Sequence, residues 1–325
     1  MVPNLTPTVD VHVHHMPNTI LDAAAGFPEI SVRRTDDEVL IGSPGGERKF
    51  PAALTSLADL RSWKAEAQVD AAVISGWSEL FFHGWEASSC ARWHDTMNDL
   101  LAETLADDDG LLLCPSLPLH LGTGGVASLT RHASSAVAFT SGTGGIDFSA
   151  ESLWPIWDAL QHAGVPLILH PEHGCLPTPS QDAIPGFANL WARPSDTTRA
   201  LTELTLAGVF SRYPDLRVVA VHGAGGWPML LGRLRRTAEL TGCPPEHLEH
   251  ARQAIYTDSL THNADALRSL VALMGSDRVL LGSDYPFPIM DRRPVEATRQ
   301  AELGDAVTDQ ILHHTARSIG LAPTP

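Results

Sequence analysis

Continuous apolar runs recur along the chain and alternate with longer segments of mixed polarity. The runs are rich in valine, isoleucine, leucine and alanine, and their apolar residues mostly follow one another directly instead of alternating with polar ones. Such runs are typical of parallel strands that are buried on both faces. They lie at residues 8–14, 69–75, 111–117, 136–140, 166–170, 217–222, 254–259 and 278–284.

Helix-like segments lie between these runs, and several of them close with glycine or proline, which are common helix stops. They lie at residues 54–68, 89–108, 152–164, 196–214, 263–275 and 305–320. Strands that alternate with helices in this way predict an α/β protein with a parallel sheet. Eight such strands predict a (β/α)8 (TIM) barrel.

Two stretches interrupt the alternation. Residues 18–53 include "EISVRRTDDEVLIGSPGGERKF", which predicts a small β-hairpin inserted after the first strand. Residues 171–196 are rich in proline and predict a long, lid-like loop after the fifth strand. No clear second domain is visible, so residues 1–325 are interpreted as a single barrel domain.

Composition narrows the classes of partner. Hydrophobic residues make up 43% of the 325 residues, which supports a sizeable core, and the formal net charge is −16 without any cluster of basic residues. This charge argues against nucleic acid and anionic membrane surfaces as partners. The chain shows neither a leader pattern nor an apolar run of membrane-spanning length, and its four cysteines are scattered. A cytoplasmic location is therefore expected.

Histidine and aspartate stand at the ends of several predicted strands. His12 and His14 end the first strand and, being two residues apart, are expected to project to the same side. His170, His222 and Asp284 end the fifth, sixth and eighth strands. In a (β/α)8 barrel these ends meet at the C-terminal mouth, where active sites are built. The convergence predicts a divalent metal site, with zinc as the expected ion and manganese or another divalent ion as the alternative.

Several motifs resemble the amidohydrolase superfamily, and within it the decarboxylase branch typified by 2-amino-3-carboxymuconate-6-semialdehyde decarboxylase. The motifs are "VDVHVHHMP", "LILHP", "VVAVHGAGGWPMLLGRL", "YTDSLTHNADALRSLV" and "DRVLLGSDYPFP". Within them "GSDYPFP" and "HGAGGWP" are the most specific pieces, because H-x-H alone occurs throughout the superfamily. The resemblance covers nearly the whole chain.

The resemblance implies that His12, His14, His170 and Asp284 hold one Zn²⁺. It also implies that His222 acts as acid/base beside a water on the metal, with Asp284 as a further catalytic residue. Many hydrolytic relatives carry a carboxylated lysine at the end of strand four, whereas this strand reads "AVAFTS". A lysine-bridged site with two metal ions is therefore not expected.

The expected reaction is the metal-dependent, non-oxidative decarboxylation of a small aromatic or carboxymuconate-type acid. A divalent ion can bind the carboxylate, and a histidine near neutrality can move a proton to the substrate carbon. Arg48 on the predicted hairpin is the candidate for pairing with that carboxylate, and Trp191 is a candidate for stacking on the ring. The resemblance predicts the sequence "PWD" directly after His170, but the chain reads "PEHG". Glu172 or His173 is therefore expected to contact a substrate that differs from that of the decarboxylase it resembles.

Two other functions remain open. A metal-dependent hydrolase of a lactone or an amide would use the same scaffold, metal and His222, and would differ in its product. A non-catalytic binding protein is the third hypothesis, although an open metal position has no evident use in binding alone. The resemblance also allows a homodimer in which Arg235 or Arg236 reaches across the interface.

Overall fold

Eight parallel strands close into a barrel in the computed structural model of the chain, which describes residues 6–35, 38–43, 46–82, 84–172 and 183–323. Three further strands, β2 to β4, form the insertion after the first barrel strand. The predicted barrel is confirmed, because each of the eight predicted runs overlaps a strand. In chain order the strands are β1 (Val9–His14), β2 (Ser31–Arg34), β3 (Val39–Ser43), β4 (Gly46–Lys49), β5 (Ala71–Ser75), β6 (Leu111–Cys114), β7 (Phe139–Gly142), β8 (Leu167–His170), β9 (Val218–Ala220), β10 (Ile255–Asp258) and β11 (Val279–Leu280).

Two parallel sheets build the barrel, and short contacts between their edges close it. One sheet has the strand order β1-β5-β6 and the other has the order β7-β8-β9-β10-β11. At one seam the amide of Val11 donates to the carbonyl of Leu281 at 2.9 Å. At the other seam the amide of Leu117 donates to the carbonyl of Thr140 at 2.7 Å. Because all eight strands are parallel, their C-terminal ends share one mouth.

A bulge in β1 determines which side chains of this strand face that mouth. The pairing of β1 with β5 shifts register between Asp10 and Val13, as expected where an extra residue is inserted into one strand. Val11 packs with Ile168 from across the barrel, whereas Val13 packs with Leu60 of a surrounding helix. The two valines, although two residues apart, therefore lie on opposite sides. The rings of both strand-end histidines, His12 and His14, nevertheless lie next to each other and next to that of His170.

Helices surround the barrel at all six predicted segments and also at others, such as Thr123–His132 and Pro245–Ala254, that the sequence did not predict. Ser56 and Asn263 begin two of them by accepting hydrogen bonds from the amides of Asp59 and Ala266, at 3.1 and 3.0 Å. Among the described residues, none of the helices combines the length and the apolar character that a membrane crossing needs. The helices are α1 (Thr19–Ala23), α2 (Leu57–Glu66), α3 (Ala87–Leu105), α4 (Thr123–His132), α5 (Trp154–Ala163), α6 (Arg193–Leu206), α7 (Val209–Arg212), α8 (Trp227–Thr241), α9 (Pro245–Ala254), α10 (Ala264–Met274), α11 (Pro294–Gln300), α12 (Asp305–Asp309) and α13 (Thr315–Ser318).

The insertion after β1 is larger than predicted. Strands β2, β3 and β4 form a three-stranded antiparallel sheet, in which Ile41 of the central strand stands between Val32 and Arg48. The predicted hairpin is therefore wrong by one strand. Strand β4 is missed because its sequence, GERK, is polar and mostly exposed, so no alternation of apolar residues marks it. Ile41 anchors the sheet in a cluster with Met16 and Trp77.

The lid-like loop predicted over residues 171–196 is helical at its C-terminal end. Ala188–Ala192 form a turn of π-helix that runs directly into α6 at Arg193, so this end of the prediction is wrong. Pro194 lies in the first turn of α6, where its fixed φ of about −65° is compatible with the helix. Residues 173–182 of the predicted loop lie outside the described residues.

Candidate metal centre and substrate cavity

Four histidines and one aspartate meet at the C-terminal mouth of the barrel, as the sequence predicts. His12 and His14 come from β1, His170 is the last residue of β8, His222 follows β9 and Asp284 follows β11. The ring centroids of His14 and His170 are 4.9 Å apart, and those of His12 and His222 are 5.0 Å apart. The structure therefore brings together residues that are up to 272 positions apart in the sequence.

Several atoms of this group are buried without hydrogen-bond partners among the described residues. They are Nε2 of His12, His14 and His170, and Oδ1 of Asp284. Nε2 of both His12 and His14 lies 3.3 Å from that carboxylate oxygen. Buried polar atoms are almost always paired, so a convergent set of unpaired ones needs an explanation. A divalent cation, which accepts imidazole nitrogen and carboxylate oxygen as ligands, fits this set.

Either His14 or His222 can complete the set of candidate ligands. His12, His170, His222 and Asp284 each offer one ligand atom, and these four atoms lie within 4.8 Å of one another. His14 is outside this tight group, although its Nε2 is close to Asp284. The geometry thus supports His12, His170 and Asp284 as ligands most directly, and it places Nε2 of both His14 and His222 within 3.6 Å of the carboxylate of Asp284.

The other ring nitrogen of each buried histidine is held by an acceptor. Nδ1 of His14 lies 3.0 Å from the carbonyl of Gly76, and Nδ1 of His170 lies 2.7 Å from the carbonyl of Pro171. A carbonyl can only accept, so both Nδ1 atoms carry the proton in these contacts. The lone pair is then on Nε2, which is the nitrogen that faces the site.

Asp258 is a buried carboxylate at the candidate site that was not among the residues predicted from the sequence. It is the last residue of β10, is fully buried, and places Oδ2 2.7 Å from Nδ1 of His12. Its Oδ1 accepts from the backbone N–H of Gly223 at 2.8 Å, beside His222. The signal was present, because this aspartate ends the seventh predicted strand at the same rim as the other five residues.

The charges at the site shift the acid–base properties of its members. Burial raises the pKa of Asp284, but the positive charge of His12 and contacts with the other imidazoles outweigh it and hold this pKa well below the usual value. Burial lowers the pKa of His12, and the carboxylates of Asp284 and Asp258 reverse this effect and raise it to about 10. Burial and the neighbouring imidazoles hold the pKa of His170 well below its usual value. His170 is therefore neutral and able to bind a metal ion.

The backbone at two of these residues adopts a conformation that non-glycine residues rarely use. His222 has φ of 58° and Asp284 has φ of 63°. Left-handed residues of this kind are disfavoured by contacts of the Cβ atom, at a cost of about 1–3 kcal/mol each. Both lie just after a barrel strand and aim their side chains into the mouth. Such strain is often found at functional sites, where the surrounding structure maintains it.

A cavity of about 730 Å³ opens from the candidate metal-binding group. Its inner end is formed by His170, His222 and Asp284, and Arg193 lies on its wall. The volume is within the range of pockets that hold small organic ligands, and such pockets combine apolar walls with a few polar groups. Apolar residues of the outer wall include Met229, Leu260, Leu270, Leu273, Phe287 and Ile289.

The three residues predicted to bind substrate lie in different surroundings. The side chain of Arg48 forms an ion pair with Glu79, Nε to Oε2 at 3.3 Å, and Arg48 is absent from the described cavity wall. Trp191 is 45% exposed, and its ring centroid is 5.4 Å from that of Phe187 on the same segment. His173 lies outside the described residues. Their roles in substrate binding stay predictions.

The chain is similar to known proteins both in sequence and in fold. The profile of the amidohydrolase family matches residues 9–319 of the chain. The 2-amino-3-carboxymuconate-6-semialdehyde decarboxylase of Dictyostelium discoideum is 26% identical over 269 residues, which cover 78% of this chain and 74% of that protein.

Two solved structures share the fold. Metarhizium anisopliae IDCase, solved in the apo form, superposes with a TM-score of 0.81 and 23% identity, covering 98% of this chain and 97% of that one. A dihydroxybenzoic acid decarboxylase from Polaromonas sp. JS666, solved with bound manganese and the inhibitor 2-nitroresorcinol, gives a TM-score of 0.77 and 19% identity, covering 97% of each chain. These similarities support the barrel fold, and the second neighbour carries a divalent metal ion.

Proposed function

The chain belongs to the amidohydrolase family, and from this membership we propose that it is a metal-dependent, non-oxidative decarboxylase of an aromatic or carboxymuconate-type acid. The observation that carries the proposal is the set of buried, unpartnered imidazole nitrogens and carboxylate oxygen at the inner end of a cavity. The names of the relatives support the reaction class, because the Dictyostelium protein is a decarboxylase of an unsaturated acid.

The proposed ligands of the metal ion are His12, His14, His170 and Asp284. Their nitrogen and oxygen donors suit Zn²⁺, and the manganese in the Polaromonas structure makes Mn²⁺ the alternative. These residues would hold the ion, which would supply Lewis-acid chemistry that stabilises negative charge on the oxygens of the substrate.

His222 is the proposed acid/base of the reaction. Its Nε2 lies 3.6 Å from Oδ2 of Asp284, and 19% of its side chain is exposed at the cavity. His222 donates a proton to the substrate carbon that carries the carboxylate. The bond from this carbon to the carboxylate then breaks, its electron pair returns to the unsaturated system, and CO2 leaves. The net reaction consumes a proton, so His222 is protonated again from solvent.

A substrate panel tests the proposal. Protein loaded with Zn²⁺ or Mn²⁺ is offered hydroxylated benzoates and carboxymuconate-like acids, and released CO2 is measured. At least one acid is expected to yield CO2, and the activity should disappear with a chelator and return with the ion. Lactones and amides belong in the same panel. Their turnover, with no CO2 from any acid, would favour a hydrolase and overturn the proposal.

A further inference from the structure

Arg193 places a permanent positive charge on the cavity wall next to a metal-binding histidine. Its Nη1 donates to the carbonyl of Pro171 at 3.3 Å, and Nδ1 of His170 lies 2.7 Å from the same oxygen. The guanidinium is thus separated from the imidazole of His170 by a single carbonyl group. Within the described part of the chain, no other arginine and no lysine lines this cavity.

A buried glutamate holds the guanidinium in place without cancelling the local charge. Nη2 of Arg193 lies 2.6 Å from Oε1 of Glu79, and Nε of Arg48 lies 3.3 Å from Oε2 of the same carboxylate. Only 5% of the Glu79 side chain is exposed. Two guanidinium groups therefore share one carboxylate, and the side chains of Arg48, Arg193 and Glu79 together carry a net positive charge. Of the two arginines, only Arg193 reaches the described cavity wall.

Arg193 also has hydrogen-bonding capacity left over. A guanidinium has five N–H donors, and the contacts with Pro171 and Glu79 use two of them. Its Nε is buried and has no hydrogen-bond partner among the described residues. Arginine binds carboxylates through two parallel N–H donors, which fix both position and orientation. The remaining donors can therefore take a carboxylate that enters the cavity.

We propose that Arg193, oriented by Glu79, binds the carboxylate of the substrate beside the metal centre. This inference rests on the proposed function, and it assigns to Arg193 the role that the sequence suggested for Arg48. Arg193 is then a binding residue that touches the substrate, and Glu79 is a positioning residue that acts through it. The ligand class is an acid whose carboxylate reaches both the metal centre and the cavity wall.

The test compares an acid with its uncharged counterpart. Metal-loaded wild type, Arg193→Met, Arg193→Lys and Arg48→Met are titrated with 2,6-dihydroxybenzoate and with resorcinol, which has the same ring without the carboxylate. Arg193→Met should weaken binding of the acid roughly 10- to 100-fold, as expected for a lost charge-assisted hydrogen bond. The affinity for resorcinol should stay the same. Arg193→Lys should give an intermediate loss, because lysine keeps the charge and loses the fork.

Matched controls separate binding from folding. Arg34→Met removes an arginine whose side chain is 57% exposed and paired with Asp22, and it should change neither affinity. Metal content and Tm are measured for each variant, and if Arg193→Met does not fold, the Arg193→Lys result decides. Glu79→Gln should raise KM for the acid while metal content stays the same. When Glu79→Gln is combined with Arg193→Met, it should not raise KM beyond the value of Arg193→Met alone.

The outcomes distinguish the two proposals. An unchanged affinity for the acid in Arg193→Met and Arg193→Lys overturns the inference, as does a larger loss in Arg48→Met than in Arg193→Met. Binding that depends on Arg193 without CO2 from any acid supports the anion site and contradicts the proposed decarboxylase. CO2 release with the same KM in wild type and Arg193→Met supports the proposed decarboxylase and contradicts the anion site at Arg193. Failure of the metal-loaded wild type to bind any acid of the panel contradicts both.

Discussion

Asp258 holds His12 by a contact of 2.7 Å between Oδ2 and Nδ1, and both groups are fully buried. The other carboxylate oxygen accepts from the backbone N–H of Gly223 at 2.8 Å. One side chain thus connects the end of β10 with the imidazole of His12, a proposed metal ligand, and with the segment that carries His222. Carboxylates in this position fix the tautomer and the orientation of a metal-binding histidine.

Replacing Asp258 by Asn should weaken metal binding without removing a ligand. The amide keeps the size of the side chain and loses the charge that holds the imidazole, so the affinity for Zn²⁺ should fall about 10- to 100-fold. Titration with a competing chelator measures this. Asp265→Asn is the matched control, since that side chain is 85% exposed. Equal affinities in wild type and Asp258→Asn would show that His12 does not depend on this contact.

Removing a ligand should empty the site. Wild type is expected to hold about one divalent ion per chain, and His12→Ala or Asp284→Asn should reduce this to near zero, together with the activity. Elemental analysis of dialysed protein gives the stoichiometry. His162→Ala provides the control, because His162 is exposed on α5 and far from the mouth. A metal content that is insensitive to both ligand changes would contradict the assignment.

The roles of His14 and His222 can be separated by paired variants. If His222 is the acid/base, His222→Asn should keep the metal and lower kcat by roughly 10²–10⁴-fold. His14→Ala should lose the metal and the activity together. Metal analysis and steady-state kinetics on the same preparations decide the matter. The opposite pattern, with metal lost only in the His222 variant, would make His222 a ligand and leave the proton transfer to another group.

Metal binding should release a proton. The carboxylates of Asp284 and Asp258 raise the pKa of His12 to about 10 in the metal-free protein, so this imidazole is protonated at pH 8. An imidazole must lose its added proton before it can bind a metal ion, and binding therefore displaces about one proton and becomes tighter as pH rises toward 10. Calorimetry of Zn²⁺ binding in buffers of different ionisation enthalpy measures the release. Heats that do not depend on the buffer would contradict it.

The sequence predicted the barrel and the rim residues because both follow from local patterns. A continuous apolar run indicates a strand buried on both faces, whichever strands pair with it. A parallel barrel places the C-terminal ends of all its strands at one mouth. His170 and Asp284 could therefore be assigned to one site from their places at strand ends. Asp258 meets the same criterion, because it stands near the end of the run at residues 254–259, so its place at this rim also follows from the sequence.

Only the tertiary structure decided the details that depend on partners distant in sequence. The register shift in β1 depends on pairing with β5, so the sequence alone could not show that Val11 and Val13 face opposite sides. The polar strand β4 exists because β3 offers it hydrogen bonds. Arg193 reaches the cavity because α6 begins there and because Glu79, 114 residues away, holds the guanidinium. Such contacts have no periodic signature in the chain, since their energy arises only after folding has brought the partners together.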